Sequence, residues 1–205
     1  MKVLLINGSP HSKGVIFTAL SQAGQELEAA GIETELLHIG HLDIRGCIAC
    51  GKCSAIGKCA FDDIVNETAP KFEAAEGMIV GSPVYYASAN GTLLSFLDRL
   101  FYSTHFDKRM KVGASIASAR RGGCTATFDI LNKYFTISEM PIVSSRYWNM
   151  LHGNKAEEAA QDAEGLHTMR TLGRNMAFLI KSIALGKESF GLPETLQRVA
   201  TNFIR

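Results

Sequence analysis

The first strand, loop and helix of the chain predict a binding site for an anion. Residues 2–6 form a short, apolar, branched run, which is typical of a strand buried on both faces of a parallel sheet. Residues 7–14 are rich in glycine and hydroxyl groups, and a helical pattern follows over 16–29. Such a loop presents unpaired backbone N–H groups and the positive end of the helix dipole. Phosphate groups commonly bind at helix N-termini of this kind, so we expect a phosphate ligand here.

The composition indicates one folded domain and argues against several classes of partner. The chain has 205 residues, of which 46% are hydrophobic, enough for one full core. Its formal net charge of +1 gives no broad basic surface for nucleic acid. The apolar run at the start is too short for a signal peptide, and no segment reaches the roughly 20 apolar residues of a membrane span. We therefore expect a cytoplasmic protein that binds neither nucleic acid nor membranes.

Strand-like runs and helical patterns alternate over the rest of the chain. Further strands are predicted at 32–39, 78–81, 111–117 and 140–144. Further helices are predicted at 62–75, 93–101, 124–136 and 155–186. Five strands that alternate with helices predict a doubly wound parallel sheet between two helical layers, an α/β/α architecture. Their number favours the flavodoxin-like strand order 2-1-3-4-5 over a six-stranded dinucleotide fold.

The same pattern predicts how the chain is organised. Residues 1–205 are expected to form one domain, with a cysteine-rich insertion at about 40–61. Pro70 is expected to bend or split its helix, because proline lacks the N–H that an interior helical position requires. The last helix, at 155–186, is longer than one sheet layer, so its apolar stripe is expected to continue into a partner subunit. We therefore expect a homo-oligomer, either a dimer or a tetramer.

Three segments at the carboxyl ends of the predicted strands carry unusual loop chemistry: residues 7–16, 82–90 and 118–124. Ligands of doubly wound sheets bind at this edge. The dinucleotide fingerprint G-x-G-x-x-G is absent from the first segment, and Lys13 and Val15 break the P-loop pattern. The remaining pattern suits a single terminal phosphate, held by hydroxyl groups and backbone amides. A serine-rich turn that only caps the helix is the alternative.

The sequences GSPHSKG, GSPVYY and SARRGG in these segments resemble those of the NAD(P)H-dependent FMN reductase-like flavoproteins. The resemblance covers nearly the whole chain and implies FMN as cofactor and NAD(P)H as co-substrate. In that family the first loop binds the ribityl phosphate, the second lies along the isoalloxazine ring and the third approaches its pyrimidine side. Carried over by position, the resemblance implies FMN contacts from Ser9, His11, Ser12, Gly14, Val15, Ile16, Pro83, Val84, Tyr85, Tyr86, Ser118, Arg120, Arg121, Gly122 and Gly123.

The residue types in these segments agree with a flavin ligand. A flat isoalloxazine ring needs an apolar or aromatic wall, which Tyr85 and Tyr86 can supply. Negative charge develops near N1 and O2 of reduced flavin, where one of Arg120 and Arg121 can face it, since adjacent side chains point in different directions. Residues 15–16 stand where relatives usually carry a threonine, so one phosphate contact is missing. Ordinary aromatics and a solvated arginine turn are the alternative.

Four of the five cysteines lie within residues 47–59, in the spacing C-x2-C-x2-C-x5-C. Three thiolates at this spacing can wrap one face of a cubane cluster, and the fourth can close it. Structural zinc sites usually use two well-separated C-x2-C pairs instead. The run resembles the compact cluster motif of the iron–sulfur flavoproteins, which implies that a [4Fe-4S] cluster is held by Cys47, Cys50, Cys53 and Cys59. Cysteines kept without a cluster are the alternative.

These features together predict an FMN-dependent oxidoreductase. We expect it to move electrons from NAD(P)H to a quinone, a free flavin, another small acceptor or a redox protein. The chemistry belongs to the flavin N5, so no residue is predicted as a catalytic acid or base. A flavodoxin-like electron carrier without turnover of its own is the second hypothesis. The net charge of +1 weighs against it, because such carriers are usually strongly acidic to steer their partners.

Several polar or isolated residues are interpreted as structural. Asp98 and Arg99 are expected to be solvated charges near a helix end. Trp148 and His152 follow the last predicted strand, where a packed turn is the preferred interpretation over a roof on the flavin pocket. Cys124 is expected to be a small buried filler, not a nucleophile.

Overall fold

A parallel β-sheet with helices on both faces forms the centre of the computed structural model, which describes residues 1–197, 199–201 and 203. The strands are β1 (Lys2–Asn7), β2 (Glu33–His38), β3 (Gly77–Tyr85), β4 (Ser88–Ala89) and β5 (Val112–Ser118). The helices are α1 (Val15–Ala29), α2 (Lys52–Ile56), α3 (Ile64–Ala74), α4 (Gly91–Ser103), α5 (Cys124–Thr136), α6 (Ala156–Ala159) and α7 (Ala163–Phe190).

The main strands have the order β2-β1-β3-β5, and every neighbouring pair is parallel. Strand β5 is the fourth strand of the sequence-based prediction, so the doubly wound, flavodoxin-like order is confirmed. The short strand β4 pairs antiparallel with the end of β3. It forms a hairpin at the carboxyl edge of the sheet, the edge at which ligands of such folds bind.

The fifth position of the sheet is held by isolated bridges in place of the continuous strand predicted at 140–144. The two parallel bridges are Gly113 to Ile142 and Ala117 to Met150. Between them, Nδ2 of Asn149 donates a hydrogen bond to the carbonyl oxygen of Ser115, at 3.0 Å. The Asn149 side chain replaces the backbone N–H that a continuous strand would donate to this carbonyl group. The backbone at 146–149 can therefore bend without leaving the carbonyl unpaired.

The core lies on both faces of the sheet because alternate strand residues point to opposite sides. On one face, Val3 and Leu5 belong to a cluster with buried residues of α1 and α7. On the other face, Leu4 and Ile6 pack in a cluster with residues of α3, α4 and α5. All four side chains are at most 2% exposed. Burial on both faces explains the uninterrupted apolar run at 2–6.

Two helices differ from their prediction. The pattern at 155–186 is not one helix but divides into α6 and α7. The division arises because the side chain of Asp162 accepts a hydrogen bond from the N–H of Gly165 and so begins a new helix. Helix α3 continues through Pro70 to Ala74 and is not split there. Over the described residues, no helix is both long and apolar enough to cross a membrane.

The contact between α7 and α1 generates a prediction about stability. A Cβ atom added at Gly173 of α7 would overlap the carbonyl oxygen of Ala23, a backbone atom of α1 that cannot move aside easily. We expect Gly173→Ala to lower the free energy of unfolding by about 1–3 kcal/mol, the usual cost of overpacking. Urea unfolding followed by circular dichroism measures this change.

The matched control is Gly186→Ala on the same helix. Its new methyl group would meet only the ring of Phe190, which is 84% exposed and free to turn away. The higher helix propensity of alanine should leave stability unchanged or raise it by up to about 1 kcal/mol. Equal losses of stability from both substitutions would contradict the packing described for α7.

Candidate functional site

The three predicted loops and a fourth segment enclose one cavity at the carboxyl edge of the sheet. Its volume is about 710 Å³, within the range of roughly 300–1,000 Å³ that is typical of small-molecule sites. Residues 153–157, at the start of α6, form the fourth segment. Of the residues predicted to contact FMN, those that line the cavity are Ser9, His11, Ser12, Gly14, Val15, Ile16, Pro83, Val84, Tyr85, Ser118 and Arg120.

Helix α1 begins in the cavity wall with free backbone donors. Gly14 is its N-cap, and no side chain of the described residues caps its first N–H groups. The first turn also lacks an acidic residue that could compete for the positive end of the dipole. The hydroxyl group of Thr18 donates to the carbonyl oxygen of Gly14 at 3.2 Å, so it is already engaged within the helix. The start of α1 is therefore suited to hold a phosphate group.

The loop before α1 is ordered by hydrogen bonds of its own. Oδ1 of Asn7 accepts from the N–H of Ser9 at 3.0 Å, and Oγ of Ser9 accepts from the N–H of His11 at 3.2 Å. Ser9 is only 4% exposed, whereas His11, Ser12 and Lys13 are exposed. The hydroxyl group of Ser12 and the charge of Lys13 are thus available to a ligand in the cavity. Ser9 also shapes the turn.

The second predicted loop is the end of a strand followed by a tight hairpin. Strand β3 was predicted only at 78–81, but it continues through Pro83 to Tyr85 before the chain turns back into β4. The two turn residues, Tyr86 and Ala87, have positive φ angles of 51° and 60°, as in a type I′ turn. Tyr85 lines the cavity, whereas Tyr86 is fully exposed at the tip of the hairpin and lies outside the lining.

The third predicted loop contributes its first residues to the cavity. The lining includes Ser118, Ala119 and Arg120. Arg121 and Gly122 are exposed and lie outside it, so the structure separates the two arginines as expected for adjacent side chains. Gly123, the N-cap of α5, has a positive φ of 95°. A Cβ atom there would stand 2.8 Å from Cγ1 of Val84, so glycine is required for the third loop to approach the hairpin.

Asn90 connects the first two loops, and it was not among the residues predicted from the sequence. Its Nδ2 donates to the carbonyl oxygen of Gly8 at 2.8 Å, and its Oδ1 accepts from the N–H of Thr92 at 2.9 Å. Its own N–H donates to Oγ of Ser82 at 2.9 Å. An asparagine just before the helical pattern at 93–101 is a typical N-cap, which is the signal that could have found it.

Residues 153–157 were also missed as part of the cavity. Nδ1 of His152 lies 3.1 Å from the carbonyl oxygen of Ala119, which connects this segment to the third loop. Lys155 adds a positive charge to the lining. Trp148 is 51% exposed and lies outside the lining of the cavity in its own chain.

All four cysteines of the 47–59 run line a second, smaller pocket. Cys47 and Cys50 are exposed, Cys53 is buried and Cys59 is partly buried, and each is a free thiol. In the part of the chain that the structure describes, no three His, Cys, Asp or Glu side chains are grouped as around a single metal ion. A cubane cluster binds each thiolate to a different iron, so its four ligands stand apart around one pocket. The four thiols fit such a cluster in number and in chemistry, and all four line one pocket.

Arg99 lies beside this pocket, and its interpretation as a solvated charge is wrong. It is 1% exposed and pairs with both carboxylate oxygens of Asp63, at 2.7 and 2.9 Å. Its Nε donates to Sγ of Cys59 at 3.3 Å. Burial lowers the pKa of the guanidinium group, but the hydrogen bonds to Asp63 and Cys59 outweigh this effect and raise the pKa above its ordinary value. Arg99 therefore remains charged.

Cys124 lies apart from the other cysteines, at the start of α5. It is 4% exposed and belongs to a small apolar cluster with Ala117 and Ala119. Burial raises the pKa of its thiol, so the thiol stays protonated at neutral pH. The structure agrees with a packing role for this residue.

The sheet order and the cavity at its carboxyl edge define a flavodoxin-like protein. Among solved structures, RosB with bound 8-demethyl-8-formylriboflavin-5′-phosphate superimposes with a TM-score of 0.72 and 15% identity, covering 100% of this chain and 94% of RosB. A flavodoxin from the domain Archaea gives a TM-score of 0.60 and 15% identity, covering 88% and 99%. The chain belongs to the NADPH-dependent FMN reductase family, whose family model matches residues 1–155.

Curated relatives agree with this assignment. An iron–sulfur flavoprotein of Methanocaldococcus jannaschii is 32% identical over 191 residues, which cover 89% of this chain and 99% of the relative. An iron–sulfur flavoprotein of Methanosarcina thermophila is 28% identical over 193 residues, covering 92% and 100%. The resemblance stated from the sequence motifs is thereby confirmed. The protein is an FMN-binding oxidoreductase.

The contacts of Asn90 generate a prediction about FMN affinity. Asn90→Ala leaves the carbonyl group of Gly8 without its partner, at a cost of about 1–3 kcal/mol. Because Gly8 lies in the loop before α1, where the FMN phosphate is expected, we expect the FMN dissociation constant, measured by quenching of flavin fluorescence, to rise by about tenfold.

Asn90→Ser serves as the control, because serine keeps an acceptor for the N-cap of α4 but is too short to reach Gly8. It should recover only the part of the thermal stability that comes from the N-cap, without recovering FMN affinity. An unchanged dissociation constant in Asn90→Ala would show that the two loops are not coupled through this side chain.

Proposed function

We propose that this FMN-binding oxidoreductase takes electrons from NAD(P)H and passes them to a small-molecule acceptor, such as a quinone or a free flavin, or to a redox protein. The observation that carries this proposal is the cavity lined by all three predicted loops. Tyr85 and Arg120 in its lining are exposed, so a second ligand can approach the same wall. The name of the matching family supports NADPH as the electron donor.

The residues of the cavity would bind and orient the cofactor. When bound, FMN supplies the hydride-accepting chemistry. The N–H groups at the start of α1 would hold its phosphate, with the hydroxyl group of Ser12 and the charge of Lys13 beside them. Tyr85 would provide the aromatic wall. Arg120 would place a positive charge near the pyrimidine side, which favours the reduced form of a flavin.

The four cysteines of the smaller pocket would hold a [4Fe-4S] cluster. In this assignment Cys47, Cys50, Cys53 and Cys59 each bind one iron, and the cluster supplies one-electron chemistry. Three observations support the assignment: the cysteines line one pocket, they are free thiols, and the curated relatives are iron–sulfur flavoproteins.

The proposal extends to assembly and location. Helix α7 carries Phe178 and Leu185, which are 74% and 64% exposed. Exposed apolar side chains on one long helix favour contact with a second copy, so we assign a homo-oligomer, a dimer or a tetramer. The cytoplasm is the proposed compartment, because it keeps thiols such as those of the cysteine pocket reduced. Neither nucleic acid nor a membrane is part of this assignment.

Steady-state oxidation of NADH and NADPH with an added quinone tests the enzymatic role. The FMN-loaded protein is expected to oxidise at least one of them faster than an equal concentration of free FMN. Arg120→Ala should slow turnover more than Arg121→Ala, because only Arg120 lines the cavity. A rate no greater than that of free FMN would refute the enzyme proposal and favour an electron carrier.

Anaerobic purification followed by iron and sulfide analysis tests the cluster. We expect about four iron and four sulfide ions per chain. Cys59→Ser should lose most of this iron, whereas Cys124→Ser is the matched control and should retain it, because Cys124 lies in a different cluster of side chains. A fresh anaerobic sample without iron would refute the assignment of the four cysteines as ligands.

A further inference from the structure

Arg99 makes more polar contacts than an ion pair requires. The side chain leaves α4 and is 1% exposed. Its two terminal nitrogens form a bidentate pair with Asp63, at 2.7 and 2.9 Å, which already balances its charge. A third nitrogen, Nε, donates to Sγ of Cys59 at 3.3 Å. One guanidinium group is thus shared between a carboxylate and a cysteine sulfur.

The same side chain also fixes both ends of the cysteine segment. Nη1 donates to the carbonyl oxygen of Arg45 at 3.3 Å, just before the first cysteine of the run. Nη2 donates to the carbonyl oxygen of Phe61 at 3.1 Å, just after the last. Between these two points the only helix is the short α2. Contacts with a rigid helix therefore hold a segment that has little regular structure of its own.

We propose that Arg99 is a positioning residue for the iron–sulfur cluster: it fixes the cysteine segment on α4, and its Nε–H···Sγ hydrogen bond to Cys59 raises the reduction potential of the cluster. This inference rests on the proposed function, since it requires that the four cysteines bind a cluster. It adds a residue outside the C-x2-C-x2-C-x5-C run and gives the four ligands unequal roles.

Electrostatics gives the direction of the effect. A reduced cluster carries one more negative charge than an oxidised one, and this charge is shared with the ligand sulfurs. A hydrogen bond to a ligand sulfur therefore stabilises the reduced state more, and it is one of the interactions that set the potentials of such clusters. Burial strengthens the effect, because water does not screen Arg99 at this position. Asp63 offsets the net charge of Arg99 but leaves the hydrogen bond in place.

Arginine and lysine are not equivalent at this position. The planar guanidinium group carries five donors in a fixed fork, which lets it serve Asp63, Cys59 and two carbonyl groups together. A lysine ammonium keeps the positive charge but lacks the rigid Nε donor. Arg99→Lys therefore removes the hydrogen bond to sulfur but keeps the positive charge, so the effect of the hydrogen bond can be measured apart from that of the charge.

The experiment is a redox titration of the anaerobically reconstituted full-length protein, monitored by electron paramagnetic resonance. In Arg99→Lys we expect the ratio of reduced to oxidised cluster at a fixed potential to fall about tenfold, which for one electron corresponds to about 59 mV. Asp63→Asn is the matched control, because it loosens the same anchor yet leaves the Nε donor and removes a negative charge. Its potential should stay constant or rise.

An unchanged potential in Arg99→Lys would overturn the proposal. So would an equal fall in Asp63→Asn, because a loosened segment would then explain both results. If wild-type protein takes up no iron, the cluster assignment itself fails, and this inference fails with it. Iron bound at wild-type level with an unchanged potential overturns the inference about Arg99 alone.

A second measurement needs no variant that could fail to fold. Wild-type protein labelled with ¹⁵N-arginine should show a magnetic coupling between the reduced cluster and an arginine nitrogen in pulsed electron paramagnetic resonance. The coupling is expected because Nε lies at hydrogen-bond distance from a ligand sulfur. A purely structural Arg99, turned away from the sulfur in the loaded protein, would give no coupling, and that result would overturn the proposal.

Discussion

The parallel pairing of β1 with β3 and of β3 with β5 is the constraint on which the candidate flavin site depends. Asn7 is opposite Gly81, and Gly81 is opposite Ile116, so the three strands reach the same edge of the sheet together. The N–H of Gly8 donates to the carbonyl oxygen of Gly81 at 2.8 Å, so the first loop starts directly beside β3. A Cβ atom at Gly8 would stand 2.6 Å from Cδ2 of Leu93, which shows how closely the loop packs. The cavity is a consequence of this register, and no single loop would create it.

Buried asparagine side chains complete the sheet where its backbone ladders end. Asn7, Asn90 and Asn149 are 0%, 6% and 1% exposed, and each makes hydrogen bonds with backbone groups of the loops or strands. An unpaired carbonyl or N–H group at these points would cost free energy, since water does not reach it. The amide side chain has both a donor and an acceptor, so it can satisfy irregular backbone that a ladder cannot. Loops held in this way are ordered before a ligand binds, which reduces the entropy lost on binding.

Elements with a strong period could be predicted from the sequence, and those that depend on distant contacts could not. The strand, loop and helix at the start of the chain follow from local pattern. Strand β3 was predicted too short because Pro83 interrupts its apolar run, although proline is tolerated where a strand reaches the edge of its ladder. Residues 153–157 have no periodic pattern, and only the tertiary fold brings them to the cavity. Arg99 was misread because charged residues are rarely buried, and its partners Asp63 and Cys59 are remote in the sequence.

Helix α4 supports both candidate sites. Its N-cap, Asn90, holds the loop before α1 through Gly8, and Arg99 further along the same helix holds the cysteine segment through Cys59. At a rise of about 1.5 Å per residue, the two anchor points are separated by roughly 14 Å along the helix axis. The buried face of α4 packs in the core between them, with Phe96 fully buried. Because a helix fixed in a core moves as a unit, the loop before α1 and the cysteine pocket are held by the same rigid element. The distance between their two anchor points is therefore set by α4.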